Sequence, residues 1–169
     1  MNRRAWHSCH RDSAARRRAG ALGPGPTTLT DVDIELIREY SVVPPLHVDR
    51  AELLQVFVNL VTNAAQAMNG KGRLTLTVKT EGTDVVTAVE DDGRGIAPAD
   101  LTKIFTPFFT TKEKGVGTGL GLSIVDSIVR KYGGRVDVHS EVGHGARFTL
   151  RFPLVSLQSR AGDEAQGSS

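Results

Sequence analysis

The sequence holds one cysteine, Cys9, one tryptophan and two methionines, and aromatic residues fill only 5% of its 169 positions. A lone cysteine excludes an internal disulfide framework and a thiolate metal cluster, so a reducing, cytoplasmic setting is the expectation. No apolar run approaches the ~18 residues that a membrane-spanning helix needs, and the N-terminal region lacks the apolar stretch of a secretory signal. No internal repeat is visible. What remains, 39% apolar and 24% charged, suits a soluble globular chain with room for one domain of ordinary size.

A large excess of one charge is also missing, but only in the total. Residues 1–28 carry six arginines (Arg3, Arg4, Arg11, Arg16, Arg17 and Arg18) against one acid, Asp12; this local +5 leaves −3 for the other 141 residues. With few aliphatics, no hydrophobic period and a Gly/Pro-rich end, residues 1–28 are expected to be a disordered basic tail, because they have little apolar surface to offset the entropy of ordering. Basic tails are usually solvated, so no nucleic-acid partner is expected; an anionic-membrane patch and an Arg-rich transit peptide are the competing readings. Residues 156–169 are expected to form a second disordered tail, which leaves residues 29–155 as the folded domain.

Within it, Val32 to Glu39 alternates apolar and polar residues like a half-buried strand. Asp49 and Glu52 have capping-box spacing, and Leu53, Val56, Phe57, Leu60 and Ala64 follow at helical intervals to a stop near Asn69-Gly70. Arg73 to Thr80 and Asp84 to Glu90 read as a hairpin around Glu81-Gly82-Thr83. A glycine-punctuated stretch then leads to a second helix, with Leu122, Val125, Ile128, Val129 and Tyr132 on one face. Two further strands, Arg135 to Ser140 and Ala146 to Phe152, are joined by the turn EVGHG. Hairpin-connected strands interleaved with two helices predict an α+β protein, a two-layer α/β sandwich rather than a doubly wound parallel sheet.

Three patterns point to chemistry. The first helix carries Gln55, Asn59, Asn63 and Gln66 in a stripe spaced four, four and three. Lysine and glutamate are better helix formers, so an amide stripe suggests ligation of Mg²⁺ or phosphate oxygens, although an amide-rich exposed face fits as well. Next, the acid Asp91 stands at a strand end before Gly93 and Gly95. A carboxylate there can accept from an exocyclic amine such as adenine's while the glycines allow close approach, but acid–glycine pairs also make ordinary turns. Last, Gly115, Gly117, Gly119 and Gly121 alternate into the second helix, where amide N–H groups and the positive end of the helix dipole form a phosphate cradle. This matches neither familiar glycine fingerprint. Between these sites, Ile104 to Lys114 reads as a lid anchored by Phe105, Phe108 and Phe109, with Lys112 or Lys114 available to a polyphosphate.

Taken in order, NLVTNAAQA, DDGRGI, FTPFFTTK and GTGLGLSIV resemble the four boxes of histidine-kinase catalytic domains over about residues 30–153. Those domains belong to the GHKL superfamily, with gyrase B and MutL. The resemblance implies a Bergerat-type ATP-binding fold, a mixed sheet packed on helices, with ATP and Mg²⁺ bound. It makes Asn63 the magnesium ligand and Asp91 the adenine-reading acid beside Gly93, Gly95 and Ile96. Gly117, Thr118, Gly119, Leu120 and Gly121 become the phosphate loop, with Lys112 in the lid. Asn59 stands where the hydrolysing relatives place a glutamate; a neutral amide is a poor general base, which favours phosphotransfer over hydrolysis. Gly143, Gly145 and Phe148 resemble the final turn–strand element.

Two departures from the family pattern are Ala146, where many relatives have Ser or Thr, and Gln66, where many have Lys or Arg. None of His7, His10, His47, His139 and His144 has the context of a phospho-accepting histidine, and His139 and His144 are expected at the surface. The implied activity is that of an ATP-dependent two-component sensor histidine kinase whose acceptor histidine lies in a dimerisation domain on another chain, with a response regulator as the next partner. The alternative is a nucleotide-binding module without kinase activity of its own.

Overall fold

The computed structural model describes residues 33–111 and 117–154. The expected tails and Lys112, with the rest of 112–116, therefore lie outside the described residues. Five strands form one sheet, β1 (Asp33–Tyr40), β2 (Lys71–Glu81), β3 (Asp84–Asp91), β4 (Arg135–Glu141) and β5 (Gly145–Pro153), in the order β1-β2-β3-β5-β4. Three helices complete the described fold: α1 (Arg50–Ala67), the four-residue α2 (Pro98–Leu101) and α3 (Gly121–Lys131). β1 runs parallel to β2 with α1 as the crossover, and all other pairs are antiparallel, so the sheet is mixed.

Local chemistry sets the ends of α1. The Asp49 carboxylate accepts from the N–H groups of Ala51 and Glu52 at 2.8 and 3.1 Å, closing the first turn. The expected capping box is only half made. Glu52 does not turn back to Asp49 but accepts from Lys131 Nζ (2.7 and 2.8 Å) and from the Tyr132 hydroxyl (2.5 Å), and the Asp49 N–H donates to the same hydroxyl. Tyr132 thus fastens the start of α1 to the end of α3. These partners hold the Glu52 carboxyl below its usual range, the Lys131 hydrogen bond contributing most. At its far end α1 stops as expected: Met68 caps it, and Asn69 (φ 51°) and Gly70 (φ 76°) turn the chain back into β2.

Val56, Leu60 and Ala64 of α1 and Val125 and Val129 of α3 pack against Leu74, Val89, Phe148, Leu150 and Phe152 on one face of the sheet. No described helix lies on the other face. There Val86 and Ala88 are still buried, beneath a lattice of long side chains that includes Arg147–Glu90 (2.6 Å) and Arg151–Glu81 (2.7 Å). Lys79 first and Arg151 second hold the Glu81 carboxyl down to about 2. β3, central in the sheet and buried on both sides, carries a β-branched run instead of an alternating pattern.

Among the described residues, two buried side-chain polar atoms lack a partner, Asn59 Nδ2 and Thr87 Oγ1, the latter in this core. Thr87 is buried and its hydroxyl makes no hydrogen bond, on the face of β3 where its cross-strand neighbour is the fully buried Leu150. Replacing that hydroxyl with a methyl removes an unsatisfied group at nearly constant shape. Thr87→Val is therefore expected to stabilise the fold by about 1 kcal/mol, read as a higher urea midpoint at unchanged m.

Candidate functional site: a nucleotide-sized cavity between two helices

A cavity of about 630 Å³ opens between α1, the loop after β3, the two ends of the 105–120 segment and the β4–β5 turn. That is within the size range of small-ligand pockets. Asn59, Asn63 and Gln66 line it; Gln55, the fourth residue of the amide stripe, does not and is exposed. Of the other expected residues, Asp91, Gly95, Ile96, Gly117, Thr118, Gly119 and Gly121 also line its wall. Gly93 and Leu120 lie behind the wall. The Gly93 N–H donates to the Asp91 carboxylate at 2.9 Å, and Gly93 backs so closely on α1 that an added Cβ would sit 2.7 Å from the Ala67 carbonyl carbon. Leu120 is the residue from which α3 starts.

The two ends of the cavity differ in chemistry. At one end, Asp91 closes β3 with only 5% of its surface exposed. Burial raises its pKa, the N–H groups of Gly93 and Ala146 oppose that rise, and the Asp92 and Glu90 charges add to it. A buried carboxylate with two fixed donors is pre-oriented to accept from an amine on a planar ligand. Gly95 (φ 70°) lets the loop pass so close to the β4–β5 turn that any Cβ would overlap the Glu141 carbonyl oxygen.

At the other end α3 begins without a side-chain cap, so its first amide N–H groups and dipole face the cavity unmasked. The amides of α1 stand directly opposite: a Cβ on Gly121 would lie 3.4 Å from Asn59 Oδ1 and 3.7 Å from Asn63 Nδ2. Asn59 Nδ2 is buried without a partner, a donor group suited to an anionic oxygen and unsuited to a metal. The two described ends of the expected lid meet where the Phe108 N–H donates to the Gly119 carbonyl at 2.9 Å. Phe105 and Phe109 pack on the core as anchors, but Phe108 departs from that role, lying 75% exposed with φ 67°.

Among the described residues no group of three or more His, Cys, Asp or Glu side chains is placed to hold a metal. A hard cation would instead fit between the amide oxygen of Asn63 and the oxygens of a bound phosphate, a donor set typical of Mg²⁺ in nucleotide sites. Thr62, Arg94, Ala97, Asp100 and Val142 also line the cavity and were not legible beforehand. Arg94 is its only cationic lining residue among those described, and its place inside DDGRGI was the one available signal. The described histidines, His47, His139 and His144, are all exposed and none lines the cavity. None of the described helices is long and apolar enough to cross a membrane.

A cavity with a buried carboxylate at one end and an uncapped helix start at the other fits a GHKL-type nucleotide site. Residues 48–156 match the model of the histidine kinase-, DNA gyrase B- and HSP90-like ATPases, and the chain belongs to that family. Within it, the likeness is to histidine-kinase catalytic domains. The chain is 45% identical over 114 residues to the sensor histidine kinase ZraS of Salmonella typhi, covering 67% of this chain and 24% of that protein. It is 44% identical over 135 residues to the sensor kinase CckA of Brucella abortus, covering 70% and 14%. Among solved structures, the catalytic domain of histidine kinase ThkA superposes with a TM-score of 0.63 at 34% identity, covering 71% of this chain and 78% of that one. Full-length ShkA in complex with AMPPNP gives 0.63 and 34%, with 71% and 25% covered. The chain thus spans about a quarter or less of the curated relatives named here.

The raised pKa of Asp91 fixes a sign. Only the ionised carboxylate can accept two hydrogen bonds from an amine and its own N–H donors, so nucleotide affinity is expected to fall on acidification at a higher pH than an ordinary aspartate would dictate. For the free protein, a raised folded-state pKa means that stability from this group is full below the unfolded value and is lost as pH rises through the folded one. Titration of affinity against pH, with Asp91→Asn as the control that loses the dependence, checks this.

Proposed function

We propose that this chain is the ATP-binding catalytic domain of a two-component sensor histidine kinase, transferring the γ-phosphate of ATP to a histidine supplied by a dimerisation domain on another chain. The cavity carries this reading: Asp91 stands at one end for the adenine amine, and the open start of α3 faces the Asn59 and Asn63 amides at the other. In this reading residues 29–155 form the working unit, ATP is the substrate, the location is cytoplasmic, and a response regulator aspartate receives the phosphoryl group from the histidine.

Asn63 would hold Mg²⁺, which supplies charge neutralisation on the phosphates when bound. The rest follows from the chain's own groups. The N–H groups at Thr118 to Gly121 orient the phosphate tail, and the orphaned Asn59 amide donates to a phosphate oxygen. Ile96 and Gly95 bound the base, and Lys112, outside the described residues, would supply a point charge to the phosphates. A neutral amide at position 59 leaves the cavity's α1 wall without a carboxylate to activate water, which favours transfer to a stronger nucleophile such as imidazole. Positioning and electrostatics are thus the whole of the catalytic contribution.

A second reading, a nucleotide-binding module without kinase activity, draws on the absence of any described histidine from the cavity lining. Calorimetry of the full chain with a non-hydrolysable ATP analogue is expected to give binding of about −5 to −8 kcal/mol, strengthened by Mg²⁺. Asn63→Asp should weaken the Mg²⁺-dependent affinity roughly ten- to hundredfold. No binding by folded protein would remove both readings. Binding without phosphotransfer to any supplied histidine-bearing dimerisation domain would leave the second.

A further inference from the structure

The base end of the cavity is supported by a residue outside every motif discussed so far. Ser140, near the end of β4, bridges the loop after β3 and the last strand: the Ile96 N–H donates to Ser140 Oγ at 2.9 Å, and the Ser140 hydroxyl donates to the Gly145 carbonyl at 2.7 Å. That carbonyl belongs to the same peptide unit as the Ala146 N–H, which donates to the Asp91 carboxylate and stands opposite Asp91 in the sheet register. The hydrogen bonds therefore run head to tail, from the Ile96 amide through the Ser140 hydroxyl and the 145–146 peptide to Asp91. Each group that accepts becomes a better donor at its other end.

From this chain we propose that Ser140 is a positioning residue for nucleotide recognition: it holds the 145–146 peptide so that its N–H fixes the Asp91 carboxylate against the base, and it holds Ile96 as the neighbouring wall. The proposal rests on the reading of Asp91 as the base acceptor. Two features support a role beyond hairpin stability. The turn already has its own fastenings, the Gly143 N–H to the Arg94 carbonyl at 2.8 Å and the His144 N–H to the Glu141 carbonyl at 3.0 Å. In addition, Ala146 offers Asp91 no side-chain hydroxyl, so on β5 the carboxylate depends on the backbone N–H that Ser140 orients. The charged groups around Asp91 that any variant must leave in place are Glu90, Asp92, and the cavity-lining Arg94 and Asp100.

The test compares affinities of the full chain for non-hydrolysable ATP and GTP analogues in Ser140→Ala, Ser140→Thr and Asp91→Asn, with thermal unfolding measured alongside. Ser140→Ala is expected to weaken ATP-analogue binding roughly three- to tenfold, to narrow the ATP:GTP preference, and to move the acid limb of binding to higher pH. Ser140→Thr, which keeps the hydroxyl, should restore all three. A lower unfolding temperature in Ser140→Ala with unchanged nucleotide preference and acid limb would overturn the proposal and leave Ser140 as a hairpin residue. So would loss of preference in Asp91→Asn but not in Ser140→Ala. If Asp91→Asn itself leaves the preference intact, the Asp91 reading fails first and the role proposed for Ser140 falls with it.

Discussion

A carboxylate is buried at the end of the most buried strand of this sheet, and much of the surrounding structure is arranged about it. Asp91 is 5% exposed, and desolvation at such a site opposes ionisation by more than any single hydrogen bond returns. Two N–H donors, from Gly93 and Ala146, are brought to it. The first requires the chain to turn immediately after β3, against the C-terminal end of α1, where only a glycine leaves room. The second requires β5 to begin beside the end of β3, and the entry residue Gly145 lies where a Cβ would overlap the Asp91 carbonyl oxygen. The register of β3 with β5, the tightness of the β4–β5 turn and the route of the loop after β3 are thus tied to one side chain.

The two faces of the sheet solve burial differently. The helix side is an ordinary apolar core, and its hydrophobic contribution scales with the area that α1 and α3 remove from water. The open side hides Val86 and Ala88 under arginine, lysine and glutamate side chains whose charges meet one another in the lattice. Exposed pairs of this kind add little stability individually. Their aliphatic stems matter more, because they allow a central strand to be apolar on both sides with only one layer of helices.

Much of this was legible because periodicity and punctuation survive tertiary context. Asp49, Gly70, Gly82 and the paired Gly133-Gly134 mark element ends within about a residue of where they fall, since caps and tight turns are local matters. Asn59, Asn63 and Gln66 of the amide stripe and Gly117, Gly119 and Gly121 of the alternating glycines do converge on one cavity. Three things were not visible. α2 is four residues without a period of its own. Glu52 left the capping box because Lys131 and Tyr132, about eighty residues away, offered it better partners, and no local pattern encodes that. Phe108 carries an apolar side chain into solvent because its backbone, tied to Gly119, takes a left-handed conformation; composition alone assigns such a residue to the core.

Under the proposed function, the arrangement would also separate two recognition tasks. In the proposed reading, base recognition rests on β3, β5 and the turn before β5, all parts of the sheet. In the same reading, phosphate contact rests on the start of α3, which packs on α1. The joint between the two halves is α1: Asn59 and Asn63 face α3, while Ala67, one turn further on, accepts the Arg94 N–H from the base side at 3.1 Å. A shift of α3 along α1 would therefore change the geometry at the phosphates while leaving the base clasped. The proposed phosphotransfer, in which the domain would hold its nucleotide and present the terminal phosphate to another domain, would use that division of labour, and Tyr132, fastening the far end of α3 to the start of α1, is positioned to limit how far such a shift can go.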